Sequence, residues 1–267
     1  MIEGVKHIVA VASGKGGVGK STVTVNLALA MAAEGYRVGI LDADIHGPSQ
    51  AQMLGVGEGV RPVAAGENRM HPLEAHGLQA MSMAFMVDTR EPMVWRGPMV
   101  AGAFQQLLTQ TLWDDLDFLF IDMPPGTGDI QLTLAQKVPV DGAVIVTTPQ
   151  DIALLDARKG IEMFRKVKVP VLGVVENMSL HVCSSCGHAE PIFGAGGGER
   201  IASEYETRVL GRLPLALSIR EQVDGGRPTV VAEPDGEVTA TFRDMARQVA
   251  EQVAGQEDAG PSIFFSD

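Results

Sequence analysis

The chain has 267 residues, and at roughly 150 residues per domain that length allows one or two domains. An α/β unit of this size is expected to form a single domain spanning 1–267, with a core large enough to need no disulfide staples. Lys and Arg total 21 against 33 Asp and Glu, a formal charge of −12 with no basic run, which argues against general nucleic-acid binding. The 45% hydrophobic content is spread along the chain and argues against disorder, and two cysteines three positions apart are no secreted disulfide framework.

Met1 to Ala12 has no basic start, long apolar stretch and cleavage site, so no secretory signal is expected. Apolar runs such as Gly142 to Val146 have strand length, well below the 18 or so residues of a membrane span. A cytoplasmic protein without membrane contact is the expectation. In chain order, His7–Ala12 predicts a buried strand, Ser21–Glu34 a helix and Arg37–Leu41 a second strand. Val56–His76, rich in Gly and Pro, predicts an insertion or hairpin. Met81, Met83, Met86, Met93 and Met99 read as adaptable core. Gly97–Trp113 predicts a helix, Asp117–Ile121 and Ala143–Thr147 strands, and Asp151–Val167 a helix with Asp151 as its N-cap. Strands are expected again at Val169–Val175 and Val209–Leu213. Val238, Phe242, Met245, Val249 and Val253 recur at the spacing of a closing amphipathic helix, and Gly255–Asp267 predicts a flexible tail.

Near-continuous apolar strands alternating with helices imply an α/β fold with a mostly parallel sheet and helices on both faces. Ligands of such sheets bind beyond the carboxyl ends of the strands, so the loops that follow each strand carry the information.

The first of those loops is Gly14-Lys15-Gly16-Gly17-Val18-Gly19-Lys20-Ser21-Thr22, which fits G-x-x-x-x-G-K-S/T between a strand and a helix. The glycines let backbone N–H groups turn inward around phosphate oxygens, and the following helix presents its positive end. ATP is therefore the expected ligand, with Lys20 on the β- and γ-phosphates and Ser21 on Mg2+. The loop also resembles the deviant Walker A signature, through Lys15. In proteins that carry it, the extra lysine reaches across a dimer interface to the partner's nucleotide, and a cation supplied in that way can be worth ~10³–10⁵ in rate. Two further loops carry carboxylates at strand ends. Asp44, in Leu41-Asp42-Ala43-Asp44, is assigned to the attacking water, and Asp122, ahead of Met123-Pro124-Pro125-Gly126-Thr127-Gly128-Asp129, to the magnesium shell. Gly126 has no side chain to keep its N–H from the γ-phosphate.

With these residues in view, the sequence resembles the Mrp (ApbC-like) family of P-loop ATPases, relatives of the septum-site and partition ATPases and of nitrogenase iron protein. The resemblance runs from Val5 to about Val253. It is carried by Gly14–Thr22, Leu41–Ser49, Trp95-Arg96-Gly97-Pro98, Asp122–Asp129, Glu176-Asn177-Met178-Ser179 and Cys183-Ser184-Ser185-Cys186-Gly187. It implies a homodimeric ATPase that binds a labile iron–sulfur cluster and passes it to apo iron–sulfur proteins, with Asn177 reading adenine. Many members carry a further small N-terminal domain; this chain begins at the ATPase strand, so no role of that domain is carried over. Trp95–Pro98 is expected only to pack.

Cys183 and Cys186 form C-x-x-C ahead of the glycine-rich Gly194–Gly198. A 4Fe-4S cluster or a tetrahedral metal needs four protein ligands, and one chain offers two thiols. Two chains around a two-fold axis would offer four, tying a bridging cluster to the dimer that Lys15 suggests. Three other readings stay open on spacing alone: Zn2+ completed by His181 and His188, a redox dithiol, and idle thiols. A different class of function, a MinD/ParA-like positioning ATPase on membrane or DNA, wants a basic terminus. The last helical pattern, with Glu237, Arg243, Asp244, Arg247 and Glu251, has no cationic bias. A reductase like nitrogenase iron protein is weaker still, because those relatives place their cluster cysteines far apart.

Overall fold

The first strand, β1 (Val5–Ala12), divides its side chains between two cores: Val9 and Val11 face one, while Ile8, Ala10 and Ala12 face the other. That alternation is the period of a strand covered on both sides. The computed structural model describes residues 2–45, 47–57, 59–66, 68–85, 97–183 and 185–258. After β1 come α1 (Lys20–Ala33), β2 (Val38–Asp42), α2 (Gln50–Met53), β3 (Val63–Ala64), β4 (Met70–His71), β5 (Leu73–Ala75) and β6 (Leu78–Ser82). The middle of the chain forms α3 (Gly97–Gln110), β7 (Leu116–Asp122), α4 (Asp129–Lys137), β8 (Gly142–Thr147), α5 (Asp151–Lys166) and β9 (Val171–Glu176). The remainder is β10 (His181–Val182), β11 (Ala189–Glu190), α6 (Gly197–Glu204), β12 (Val209–Arg212), α7 (Leu217–Asp224), α8 (Thr229–Ala232) and α9 (Glu237–Asp258).

Eight strands form one sheet in the order β12-β9-β8-β1-β7-β2-β6-β5. Its neighbours run parallel except the edge pair β5 and β6. Helices α1 and α9 pack against each other on one face of the sheet, and Phe242, Met245, Val249 and Val253 of α9 join the core of Val23, Leu27 and Met31. Full burial of such a side chain stabilises the fold by about 1.5–3 kcal/mol. On the other face, Phe104 and Leu107 of α3 and Leu154, Ile161 and Phe164 of α5 close the second core. The resulting architecture is the expected one, helices on both faces of a mostly parallel sheet.

Four local expectations need correction or completion. Gln150 is the N-cap of α5, in an extended conformation, and Asp151 is the first helical residue, where its charge faces the positive helix end. The expected tail starts too early, because Gly255 to Asp258 continue α9; residues 259–267 lie outside the described ones. Met81 and Met83 are buried as expected, but Met99 is exposed on α3, and Met86, Met93, Trp95 and Arg96 fall outside the described residues. The edge strands β5 and β6 escape periodicity because Leu78-Gln79-Ala80-Met81-Ser82 has no β-branched residue, and the open edge of β2 supplies its ladder. The stretch Val56–His76 does contain a hairpin, β3 against β4.

Candidate functional site

The loops after β1, β2 and β9 and the end of β7 meet at the carboxyl edge of neighbouring strands, and the β10/β11 hairpin follows β9 in the chain. Gly14 packs so closely on α5 that a Cβ would stand 2.0 Å from the Asp156 carbonyl oxygen. Gly19 caps α1 at φ 83°, in the left-handed region that favours glycine. A methyl group at Gly16 or Gly17 would meet nothing within 4 Å. The mouth of the loop is thus an open cradle of backbone N–H groups, which suits phosphate oxygens.

Lys20 is buried, with Nζ on Asp122 Oδ1, 3.2 Å from Ser21 Oγ and 4.0 Å from Asp44 Oδ2. Asp122 is the last residue of β7 and lies in register with Val11 of β1 and Asp42 of β2. Thr24 Oγ1 donates to the Lys20 carbonyl (2.9 Å) and lies 3.2 Å from Asp122 Oδ1. The Asp44 carboxylate accepts from Gly47 N–H (3.3 Å). Asp42, fully buried, accepts from the N–H groups of Asp44 (3.1 Å), Ser49 (2.9 Å) and Gln50 (3.1 Å), and from Ser82 Oγ (3.2 Å). Burial and the nearby Asp122 charge raise the Asp42 pKa to about 7, against the lowering effect of the Gln50 N–H and Lys20. The Ser21 hydroxyl and the Asp122 carboxylate both lie against the Lys20 ammonium, and such oxygen donors suit Mg2+, so Ser21 and Asp122 fit the expected ion.

Three predicted residues have partners that spacing did not suggest. Asn177 Nδ2 donates to the Val18 carbonyl at 2.8 Å, so this side chain braces the phosphate loop. The Gly126 N–H donates to the Ser13 carbonyl at 2.9 Å. Lys15, half-buried, has no ion-pair partner among the described residues, and its carbonyl accepts from Ser13 Oγ at 2.9 Å. Asp122, expected in a loop at a strand end, is itself the last residue of β7. Thr22 lies in the first turn of α1, and its carbonyl accepts from Asn26 Nδ2 at 2.9 Å.

The cysteines sit at the turn of the antiparallel β10/β11 hairpin, where Cys183 N–H donates to the His188 carbonyl (2.9 Å) and Gly187 N–H to the Cys183 carbonyl (2.8 Å). Cys186 is exposed and Cys183 half-buried. Hydrogen bonds from the Ser185 and Cys186 N–H groups, and then from the Cys186 thiol, lower the Cys183 pKa and favour its thiolate. His181 Nδ1 lies 3.1 Å from the Leu215 carbonyl. No group of three or more His, Cys, Asp or Glu gathers around a metal position among the described residues, so the zinc site with His181 and His188 is not assembled within one chain.

A family model described as ParA, NUBPL iron-transfer P-loop NTPase, matches residues 4–250. The chain belongs to this family. Among members of the NUBPL iron-transfer family, the iron–sulfur cluster carrier protein of Pseudomonas fragi is 66% identical over 242 residues, 91% of this chain and 84% of that protein. Its counterpart in Escherichia coli K12 is 60% identical over 97% of this chain and 70% of its own length. Mouse iron–sulfur cluster transfer protein NUBPL is 50% identical over 94% and 79%. A nucleotide-binding protein from Archaeoglobus fulgidus, solved with ADP, superposes with a TM-score of 0.76 at 37% identity, covering 90% of this chain and 93% of that one. The cell-division ATPase MinD of Pyrococcus furiosus (TM-score 0.68, 23% identity, 92% and 99% covered) shares the fold. Asp42, Thr24 and Gln50 of this family member also belong to the site, and spacing does not signal them: Gln50, for one, meets Ser21 from 29 residues away.

Proposed function

We propose that this chain is an ATP-dependent carrier that binds a labile iron–sulfur cluster between two copies of itself and hands it to apo iron–sulfur proteins. The observation that carries the reading is the β10/β11 hairpin, which presents two thiols, one of them biased toward thiolate, on the same sheet edge as the phosphate loop. A cluster needs about four such ligands, and no histidine completes the set within one chain among the described residues. A second copy supplies the missing pair. Exposed apolar side chains near these elements, Leu180, Val182, Ile192, Ile152 and Leu155, are consistent with a covered face. A 4Fe-4S cluster is the cargo favoured by this ligand count, and Zn2+ at the same thiols is its competitor.

ATP would be split by water into ADP and phosphate. Mg2+, held by Ser21 and Asp122, would neutralise charge on the phosphates. Lys20 would leave Asp122 for the β- and γ-phosphates, and Asp44 would orient the attacking water. Gly126 N–H would leave the Ser13 carbonyl for the γ-phosphate, and Lys15 of the second copy would complete the site. Asn177 bonds the phosphate loop at Val18 and precedes the hairpin by only a few residues, with Ser179 and Leu180 bonded to Leu213 and Leu215 in the segment after β12. A nucleotide that moves the loop therefore pulls on the base of the cysteine hairpin. Adenine reading by Asn177 uses the amide atoms not engaged by Val18.

A membrane- or DNA-cycling role draws no support from α9, where Arg243 and Arg247 pair with Glu34. The location proposed is cytoplasmic; no helix among the described residues is long and apolar enough to cross a membrane. The test is anaerobic reconstitution followed by iron, sulfide and zinc analysis and transfer to an apoprotein. One cluster per two chains, lost together with transfer in Cys183→Ala and Cys186→Ala, is the expected result. A monomer that retains no iron in saturating nucleotide would overturn it.

A further inference from the structure

We propose that Gln50 is a positioning residue of the nucleotide site, holding Asp122 through its amide nitrogen and accepting a hydrogen bond from a magnesium-bound water through Oε1. The inference rests on the nucleotide-site reading above and adds a residue to it. Gln50 opens α2 and is only 1% exposed. Its Nε2 donates to Asp122 Oδ2 at 2.8 Å and to the Ser21 carbonyl at 3.0 Å. Its main-chain N–H donates to Asp42 Oδ2 at 3.1 Å. One residue thereby ties the first turn of α1 to the ends of β7 and β2.

Both partners of the side-chain amide are acceptors, so the carboxamide has one sensible orientation. Rotated by half a turn, it would set oxygen against the Asp122 carboxylate and the Ser21 carbonyl. Oε1 shares a carbon with Nε2 and so lies in the same surroundings. It is buried and has no hydrogen-bond partner. A buried amide oxygen left without a donor is costly, and native proteins rarely tolerate one without a reason. Mg2+ bound through one or two protein oxygens and phosphates keeps several of its waters, and those waters are strong donors. A water in that shell satisfies Oε1 while Nε2 holds Asp122 in place. A purely structural glutamine would need only the Nε2 bonds.

The test compares the affinity of a fluorescent ADP analogue in Mg2+ with its affinity in EDTA. For Gln50→Leu, the tightening produced by Mg2+ should shrink by about tenfold or more, the usual effect of removing an outer partner of a metal site, while the affinity in EDTA stays near that of the parent. Gln50→Asn keeps the carboxamide but draws it back by one methylene, and should show the same loss in a chain nearer the parent's stability. In the unsubstituted chain with 13C-labelled glutamine, the Gln50 side-chain carbonyl resonance should shift on adding Mg-ADP and not on adding ADP with EDTA. A parent-like response to Mg2+ in a folded Gln50→Leu, or an unmoved resonance in the parent, overturns the assignment. A merely structural role would lower Tm in the variants yet preserve the Mg2+ response. If the parent binds ADP in neither condition, the nucleotide-site reading itself falls and takes this assignment with it.

Discussion

Lys20 Nζ rests on Asp122 Oδ1, so the cation expected on phosphate and the carboxylate expected beside the metal neutralise one another in the absence of either ligand. Lys20→Ala would leave Asp122 buried beside Asp42 without its cation. Breaking such a buried pair from one side costs about 3–5 kcal/mol. Thermal denaturation should show the loss, and Mg2+ should raise Tm more in this variant than in the parent, because the divalent ion replaces the missing charge. ATP turnover should fall to background. A variant as stable as the parent would show that the pair carries no weight.

Lys15 has no ion-pair partner among the described residues, and the function proposed above has it act on a second copy. Lys15→Ala should reduce ATP hydrolysis by on the order of 10³-fold and change nucleotide affinity only a few-fold. Mixing Lys15→Ala with Lys20→Ala chains should restore turnover, since the mixed dimer has one site with an intact Lys20 and a Lys15 from its neighbour. No recovery on mixing would place Lys15 in its own chain's site.

Gly19 and Asn177 are matched to each other. A Cβ at Gly19 would stand 2.2 Å from Asn177 Nδ2, at a φ of 83°. The backbone strain alone costs roughly 1–3 kcal/mol. Gly19→Ala should therefore be strongly destabilising in urea denaturation. Removing the amide relieves the clash but not the strain, so Gly19→Ala with Asn177→Ala should lose less than the two single losses added together. Strict additivity would separate the two sites.

Glu34, just after α1, ties that helix to α9 through Arg243 Nε (2.6 Å) and Arg247 Nη1 (3.0 Å). The Arg243 hydrogen bond lowers its pKa, opposed in part by burial and helped by Arg247. A carboxyl group whose folded pKa lies below its unfolded value stabilises the fold above the unfolded pKa of about 4.5, and that contribution disappears as pH falls through the folded pKa. Glu34→Gln should accordingly be less stable than the parent at neutral pH, by less than about 1 kcal/mol. The gap should close in acid, as read by urea denaturation across the pH range. A gap that persists at low pH would mean that packing, not charge, sets the difference.

The phosphate loop was legible because its function lies in consecutive residues: glycines, Lys20 and Ser21 act within a single turn between β1 and α1. The strands were legible where both faces are buried, since a run such as Phe118 to Ile121 has no other soluble use. β6 was not, because its strand character comes from pairing with β2 rather than from its own residues.

By itself, the sequence determined the alternating strands and helices, the strand–glycine loop–helix unit, the two carboxylates at strand ends and the lone C-x-x-C pair. All of these are set by short-range spacing. Only the tertiary structure decided that Asp122 receives Lys20 from 102 residues away, that Asn177 bonds Val18 from 159 residues away, and that Gln50 closes on both Ser21 and Asp122. Those pairings depend on which strands lie side by side. Strand order is fixed by burying both faces of the whole sheet at once, a global condition that no local stretch of residues records.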